Sequence, residues 1–158
     1  MEQLIVRPIG KVQIDDEGMR LELYEAYLPA LTNLDGFGYI QVLWWFSQCD
    51  HEDSRAKLLE KSPYKNAPEL LGTFATRSPE RPNPIALSCC QVTSIDTDKG
   101  IIWLAYIDAE EGTPVLDVKP YTPSLDRVEH PSVPEWCTKW PRAVEDSGTF
   151  DWSAVFNF

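Results

Sequence analysis

The stretch IALSCCQVTSIDTDKGIIWLAYI, residues 85 to 107, decides the fold. Two runs rich in branched and aromatic residues, Ile85 to Ile95 and Gly100 to Ile107, flank DTDKG, whose Asp and Gly residues suit a tight turn. The pattern predicts two antiparallel strands. Adjacent residues of a strand point to opposite faces, so Cys89 and Cys90 cannot easily serve one site.

Upstream, the segment GTFATRSPERPNPIALS, residues 72 to 88, places Pro79, Pro82 and Pro84 among polar residues and runs directly into the first of these strands. Each proline fixes its own φ and pushes the residue before it, Ser78, Arg81 or Asn83, toward extended backbone. Such a loop presents side chains with little entropy left to lose on binding. Ile85 and Leu87 are expected to anchor it to the sheet.

YIQVLWWF, residues 39 to 46, is too short for a typical helix and reads as a central strand. Further upstream, the alternation from Leu4 to Ile14 and the run from Met19 to Tyr27 predict a hairpin turning at DDEG. After Pro29, the spacing of Leu31, Leu34 and Phe37 predicts one helical turn ending near Gly36. HEDSRAKLLEKSPY, residues 51 to 64, is the clearest helix candidate, starting near Asp53 or Ser54 and ending at Pro63, and LLGTFAT, residues 70 to 76, adds another strand.

These elements predict a mainly β fold: a small closed antiparallel β-barrel over residues 1–125, with one or two short helices. From Gly112 onward the character changes, with many prolines alongside Trp136, Trp140, Phe150, Trp152, Phe156 and Phe158. A disordered tail lacks so many aromatics, so residues 126–158 are expected to form an aromatic-rich C-terminal extension packing on the barrel or across a dimer.

The chain has 158 residues, ample for one cored domain, and no apolar run approaches a membrane span. Its N-terminus lacks the pattern of a secretory leader, which predicts a cytoplasmic protein. Cys49, Cys89, Cys90 and Cys137 include no CxxC pair and read as reduced thiols; Cys49, Asp50 and His51 form a poor ligand set, so no metal is expected. With 14 basic and 25 acidic residues the net charge is −11, which disfavours general polyanion binding. A nucleic acid would have to meet a local basic patch, for which Lys57, Lys61, Lys65, Arg77 and Arg81 are the candidates.

FATRSPERPNPIALS closely resembles the signature of the TsaA-like, or TrmO, family. The resemblance extends to LDGFGYIQVLWWF before it and DAEEGTPVLDVKPYTP after it, covering most of Ile9 to Pro123. It implies a β-barrel that dimerises, binds S-adenosylmethionine and methylates the exocyclic amine of threonylcarbamoyl-adenosine beside the anticodon of tRNA. It places cofactor contacts at Ser47, Gln48, Arg77, Leu87, Asp108, Ala109, Glu110 and Glu111. Arg77 suits a carboxylate or a substrate oxygen, and an acid suits the ribose or the positive end of the cofactor. Arg77, Asn83, Asp117 and Tyr121 are the candidates for the catalytic set that orients the acceptor. For Asp117, Lys119 and Tyr121, a buried ion pair with a tyrosine anchor is the alternative.

The chain departs from the family pattern in several places. The usual GFSH reads Gly36-Phe37-Gly38-Tyr39, the usual FH at the strand end reads Phe46-Ser47, and a glycine is replaced by Ala86. The hairpin between Val12 and Leu21 is short, and no C-terminal domain of the bacterial kind is read. Two other functions therefore stay open: methylation of a small molecule or other acceptor, and a non-catalytic cofactor-binding sensor or interaction module.

Overall fold

A computed structural model describes residues 3–157. The chain forms two compact units: residues up to Asp50 together with Pro84–Arg127, and His51–Asn83 together with residues from Val128 onward.

The first unit is a closed antiparallel barrel of six strands. In chain order these are β1 (Gly10–Asp15), β2 (Gly18–Leu23), β3 (Tyr39–Trp45), β6 (Ile85–Asp96), β7 (Ile101–Leu104) and β8 (Pro114–Pro120). Around the barrel the order is β1-β2-β7-β6-β3-β8, and β8 returns to β1. Alternation along β3 turns Ile40, Val42 and Trp44 into the core, where they meet Val12, Leu21, Ile102 and Val115. The Trp44 indole N–H donates to the Ser88 hydroxyl at 2.9 Å, so its one polar atom is satisfied.

β6 is long enough to serve two neighbours. Residues Ile85–Gln91 pair with β3, and a bulge between Val92 and Ser94 re-aims the strand so that its far end pairs with β7. As expected, Cys89 and Cys90 face opposite ways; burial pushes the Cys90 thiol up to about 12, so it stays an inert core group at neutral pH.

On the outer wall Arg20 forms a two-pronged pair with Asp15, at 2.9 and 2.8 Å. It also bonds Glu22 at 3.1 Å and lies over the Trp103 ring, 4.9 Å from its centroid. This clamp staples the ends of the β1–β2 hairpin to β7.

The second unit contains α1 (Glu52–Ala56), a small hairpin of β4 (Leu59–Lys61) and β5 (Leu70–Gly72), and the chain after Arg127. Tyr64 stacks on Trp136 at 5.3 Å, and the ring contacts continue through Trp140, Trp152, Phe150 and Phe156. Phe158 lies outside the described residues.

Several expectations are corrected. The hairpin starts at Gly10, because Leu4, Ile5 and Val6 are exposed and no strand pairs with them. The helical turn lies earlier, as a 3-10 segment over Glu25–Leu31. α1 stops at Ala56, and LEK pairs with β5 because its carbonyls and amides find a ladder there. Residues 114–120, read as part of the proline-rich tail, form barrel strand β8. Ile85 and Leu87 face outward, while Pro84, Ala86 and Cys90 are the buried anchors.

Two outcomes test this description. A Cβ at Gly10 would collide with the Glu22 carbonyl oxygen, so Gly10→Ala should cost about 1–3 kcal/mol in urea unfolding. The Arg20 guanidinium holds the Asp15 carboxyl below its ordinary value of 3.8. The pair therefore stabilises the fold above that value and loses its contribution as pH falls through the lowered pKa. Asp15→Asn should destabilise most near neutral pH and progressively less as pH falls below the ordinary carboxylate range, as read by thermal midpoints across pH.

Candidate functional site

In the barrel unit, two of the segments assigned to the cofactor meet. β3 ends in a 3-10 turn, Ser47–Cys49, which carries Ser47 and Gln48. The Gln48 amide donates to the Glu110 carboxylate, although 62 residues separate them in the chain. Glu111 accepts from the Gln13 amide at 2.8 Å. The loop holding these acids is fixed by its backbone: Gly112 N–H donates to the Val12 carbonyl and Val12 N–H to the Thr113 carbonyl, both at 2.8 Å. Gly112 takes φ +78°, a left-handed conformation that glycine adopts without strain. Ala109 packs against the core, and Asp108 receives a long contact from the Tyr106 hydroxyl at 3.5 Å.

A second group shares a row on the outer face of the sheet. Leu43 is opposite Leu87 on β6 and opposite Asp117 on β8, so Leu87 and Asp117 flank one residue of β3. Asp117 bonds the Lys119 ammonium at 2.6 Å, and this contact raises the lysine's pKa. The ion pair forms, but both partners are exposed. Tyr121 donates its backbone N–H to the Tyr39 carbonyl at 3.0 Å, and the two rings meet edge-on at 6.4 Å.

Arg77 and Asn83 belong to the second unit, in the proline loop. There Arg81 points its guanidinium at the loop's own backbone, donating to the carbonyls of Ser78 at 2.7 Å, Thr76 at 2.9 Å and Thr73 at 3.3 Å. Ser78 donates to Glu60 at 2.8 Å, Arg55 donates to the Pro82 carbonyl at 2.9 Å, and Glu80 is held by Lys57 and by the Ser54 hydroxyl. Lys57 holds Glu80 below its ordinary carboxylate range, and Glu80 with Glu60 raises Lys57 in turn. Prolines limit the loop's backbone; these contacts choose one conformation.

The candidate cations for RNA are engaged locally as well. Lys57 meets Glu60 at 3.1 Å and Glu80, Lys61 approaches Glu69 at 3.9 Å, and Lys65 bonds the Ser153 carbonyl at 2.9 Å.

Sequence reasoning missed Gln13 and Glu60. Gln13 sits in ordinary strand alternation, and nothing in the spacing ties Glu60 to the loop. Among the described residues no group of three or more His, Cys, Asp or Glu is placed to hold a metal ion, and no helix is long and apolar enough to cross a membrane.

Comparison with known proteins adds independent observations. Residues 6–127 match the family described as tRNA-methyltransferase O N-terminal domain. A probable S-adenosyl-L-methionine-binding protein of Methanocaldococcus jannaschii is 37% identical, the match covering 77% of this chain and 94% of the relative. A tRNA (adenine(37)-N6)-methyltransferase of Mus musculus is 35% identical over 66% of this chain, but the match spans 23% of that protein. The crystal structure of TrmO from Pseudomonas aeruginosa superimposes with a TM-score of 0.63 at 28% identity, covering 83% of this chain and 62% of the solved one.

Arg81 supplies a test of the loop. Arg81→Met should destabilise the second unit by about 2 kcal/mol, and Arg81→Lys should recover less than half of that, because one ammonium cannot reach three carbonyls in the fork geometry. Urea unfolding followed by tryptophan fluorescence reads both.

Proposed function

The chain belongs to the TrmO family, and on that premise we propose that it is an S-adenosylmethionine-dependent methyltransferase of tRNA adenosine. The acceptor we assign is the exocyclic amine of threonylcarbamoyl-adenosine beside the anticodon. The contact between Gln48 and Glu110 carries this reading: it joins two of the sequence segments to which the family resemblance assigns cofactor contacts.

The side chains present suit such a cofactor. Glu110 and Glu111 keep carboxylates at the surface, positioned by Gln48 and Gln13, and can accept from ribose hydroxyls or an ammonium. In the second unit, Arg77 is an exposed cation of the kind that a carboxylate or a substrate oxygen needs. When bound, S-adenosylmethionine supplies a methyl group on a positively charged sulfur, open to in-line attack by an amine.

The protein's part in that attack is alignment, which can supply a large share of the acceleration. Asp117, with its carboxylate oriented by Lys119, accepts a hydrogen bond from the acceptor amine. The Tyr121 hydroxyl fixes the acceptor's remaining polar edge. No dedicated base is required, since the amine proton can leave after the methyl arrives. In this reading the protein acts in the cytoplasm as a homodimer.

The deciding experiment incubates the protein with methyl-labelled cofactor and total tRNA, digests the RNA to nucleosides and locates the label. Label on threonylcarbamoyl-adenosine is expected, falling as salt rises with a slope set by the number of cations that meet the RNA. Label on unmodified adenosine to the same extent overturns the acceptor assignment. Cofactor binding without labelling of any tRNA points to a small-molecule acceptor or a sensor. Arg77→Ala should weaken cofactor binding about ten- to a hundredfold in calorimetry while leaving the thermal midpoint nearly unchanged. A lowered midpoint with intact affinity makes Arg77 a structural corner and removes it from the site.

A further inference from the structure

Within the second unit, α1 and the signature loop are joined by a chain of polar contacts that the proposed chemistry does not use. Ser54, on α1, is 2% exposed, and its hydroxyl touches two titratable side chains. One is His51, whose Nε2 is 3.0 Å away; the other is Glu80 of the loop, whose carboxylate accepts at 3.3 Å. The His51 ring also caps α1, its Nδ1 accepting from the Ser54 backbone N–H at 3.4 Å.

A serine, a histidine and an acid suggest an activated nucleophile, but their order excludes one. The carboxylate meets the serine rather than the histidine, and the serine is closed off from solvent. The arrangement fixes a direction of donation instead. An Nδ1 that accepts carries no proton, so the neutral ring holds its hydrogen on Nε2 and donates it to the Ser54 oxygen, whose own hydrogen goes to Glu80. A second proton on the ring sets an Nδ1–H against the Ser54 N–H, donor against donor. The cap resists that proton while the Glu80 carboxylate attracts it, so charging the ring exchanges its partners within a folded unit.

Other charged groups surround the contact. Lys57 pairs with both Glu80 and Glu60, Glu52 and Asp53 occupy the first turn of α1, Arg55 follows in its last turn, and Asp50 precedes His51 in the chain. Lys57 holds the Glu80 carboxyl below its ordinary range, so Glu80 stays ionised while an imidazole changes charge. Glu80 also donates its backbone N–H to the Ser78 hydroxyl at 3.3 Å, so a change at its side chain reaches the main chain of the loop.

We infer that His51 is a proton-sensitive joint on the signature loop, with Ser54 relaying the charge state of its ring to Glu80. Neutral, the ring caps α1 and completes the relay. Charged, it gives up the cap and turns to Glu80 directly, and the segment around Glu80 shifts with it. The joint lies within residues 51–83 and depends on no ligand, so it stands or falls apart from the methyl-transfer reading.

Nuclear magnetic resonance of the full chain tests the joint between about pH 8 and pH 5, the window in which an imidazole changes charge. His51→Asn keeps an N-cap that does not titrate and leaves His130 as the only histidine, and Ser54→Ala removes the relaying hydroxyl. In the unaltered protein the Ser54 and Glu80 amide shifts should follow the His51 ring with one midpoint. The Ser54 amide, corrected for intrinsic exchange, should exchange about tenfold faster once the ring is charged. In His51→Asn both responses should vanish while Ser54 stays protected. In Ser54→Ala the ring should still titrate, and the Glu80 amide should no longer follow it. The β3 and β7 amides show that the barrel stays folded in each variant. A Glu80 amide that ignores the His51 titration in the unaltered protein, or that still responds in His51→Asn, overturns the joint. A Glu80 response unchanged in Ser54→Ala overturns the relay.

Discussion

The barrel depends on its seam. β8 meets β1 through two register pairs, Gly10 with Val115 and Lys11 with Pro114, and every other strand contact is longer. Gly10, which pairs with Val115 at this junction, also lets β1 approach the Glu22 backbone of β2 closely on its other side. The hydrogen bonds that finish the seam involve Val12, Gly112 and Thr113, so the closure that removes the sheet's edges also fixes the loop carrying Glu110 and Glu111. Architecture and candidate chemistry share one set of backbone contacts.

The signature loop is built on another principle. It has no strand ladder of its own, and its backbone carbonyls are met by Arg81 and Arg55. A guanidinium can satisfy several acceptors from one anchor, which suits a segment too irregular to pair with a neighbour. In a chain of net charge −11, cations are scarce, and several here are turned inward to hold a shape. This explains how an acidic protein can keep a polar loop ordered without presenting a strongly positive surface.

Elements with a strict two-residue period and clear turn residues were legible: β3, β6 and β7 lie where the alternation of Ile40, Val42 and Trp44 and the DTDKG turn put them. β8 was not, because Pro114 and Pro120 bracket it and its neighbours are richer in proline, although its pairing at both edges makes it a barrel strand. The helical period of AKLLEK misled, since tertiary pairing with β5 outweighs local propensity. Inside and outside were also ambiguous at the start of β6, where Ile85 is more apolar than Ala86 yet faces out. For the candidate site, residues carried by a contiguous motif could be named, and folding brings two of them, Gln48 and Glu110, into contact. Gln13 could not, because its partner, Glu111, is assigned by folding and leaves no mark on spacing.

The division of the chain between two units has a consequence for biosynthesis. All six barrel strands have left the ribosome once Pro120 has emerged, so the barrel can close while translation continues. The signature loop lies earlier in the chain, yet its unit also needs Trp136, Trp152 and Phe156, which follow. Residues 51–83 must therefore wait, tethered between two strands already paired, until the aromatic segment emerges to complete their core. Vectorial synthesis thus finishes the scaffold before the loop that carries Arg77, and a nascent chain stalled between these points would hold a closed barrel with an unfinished second unit.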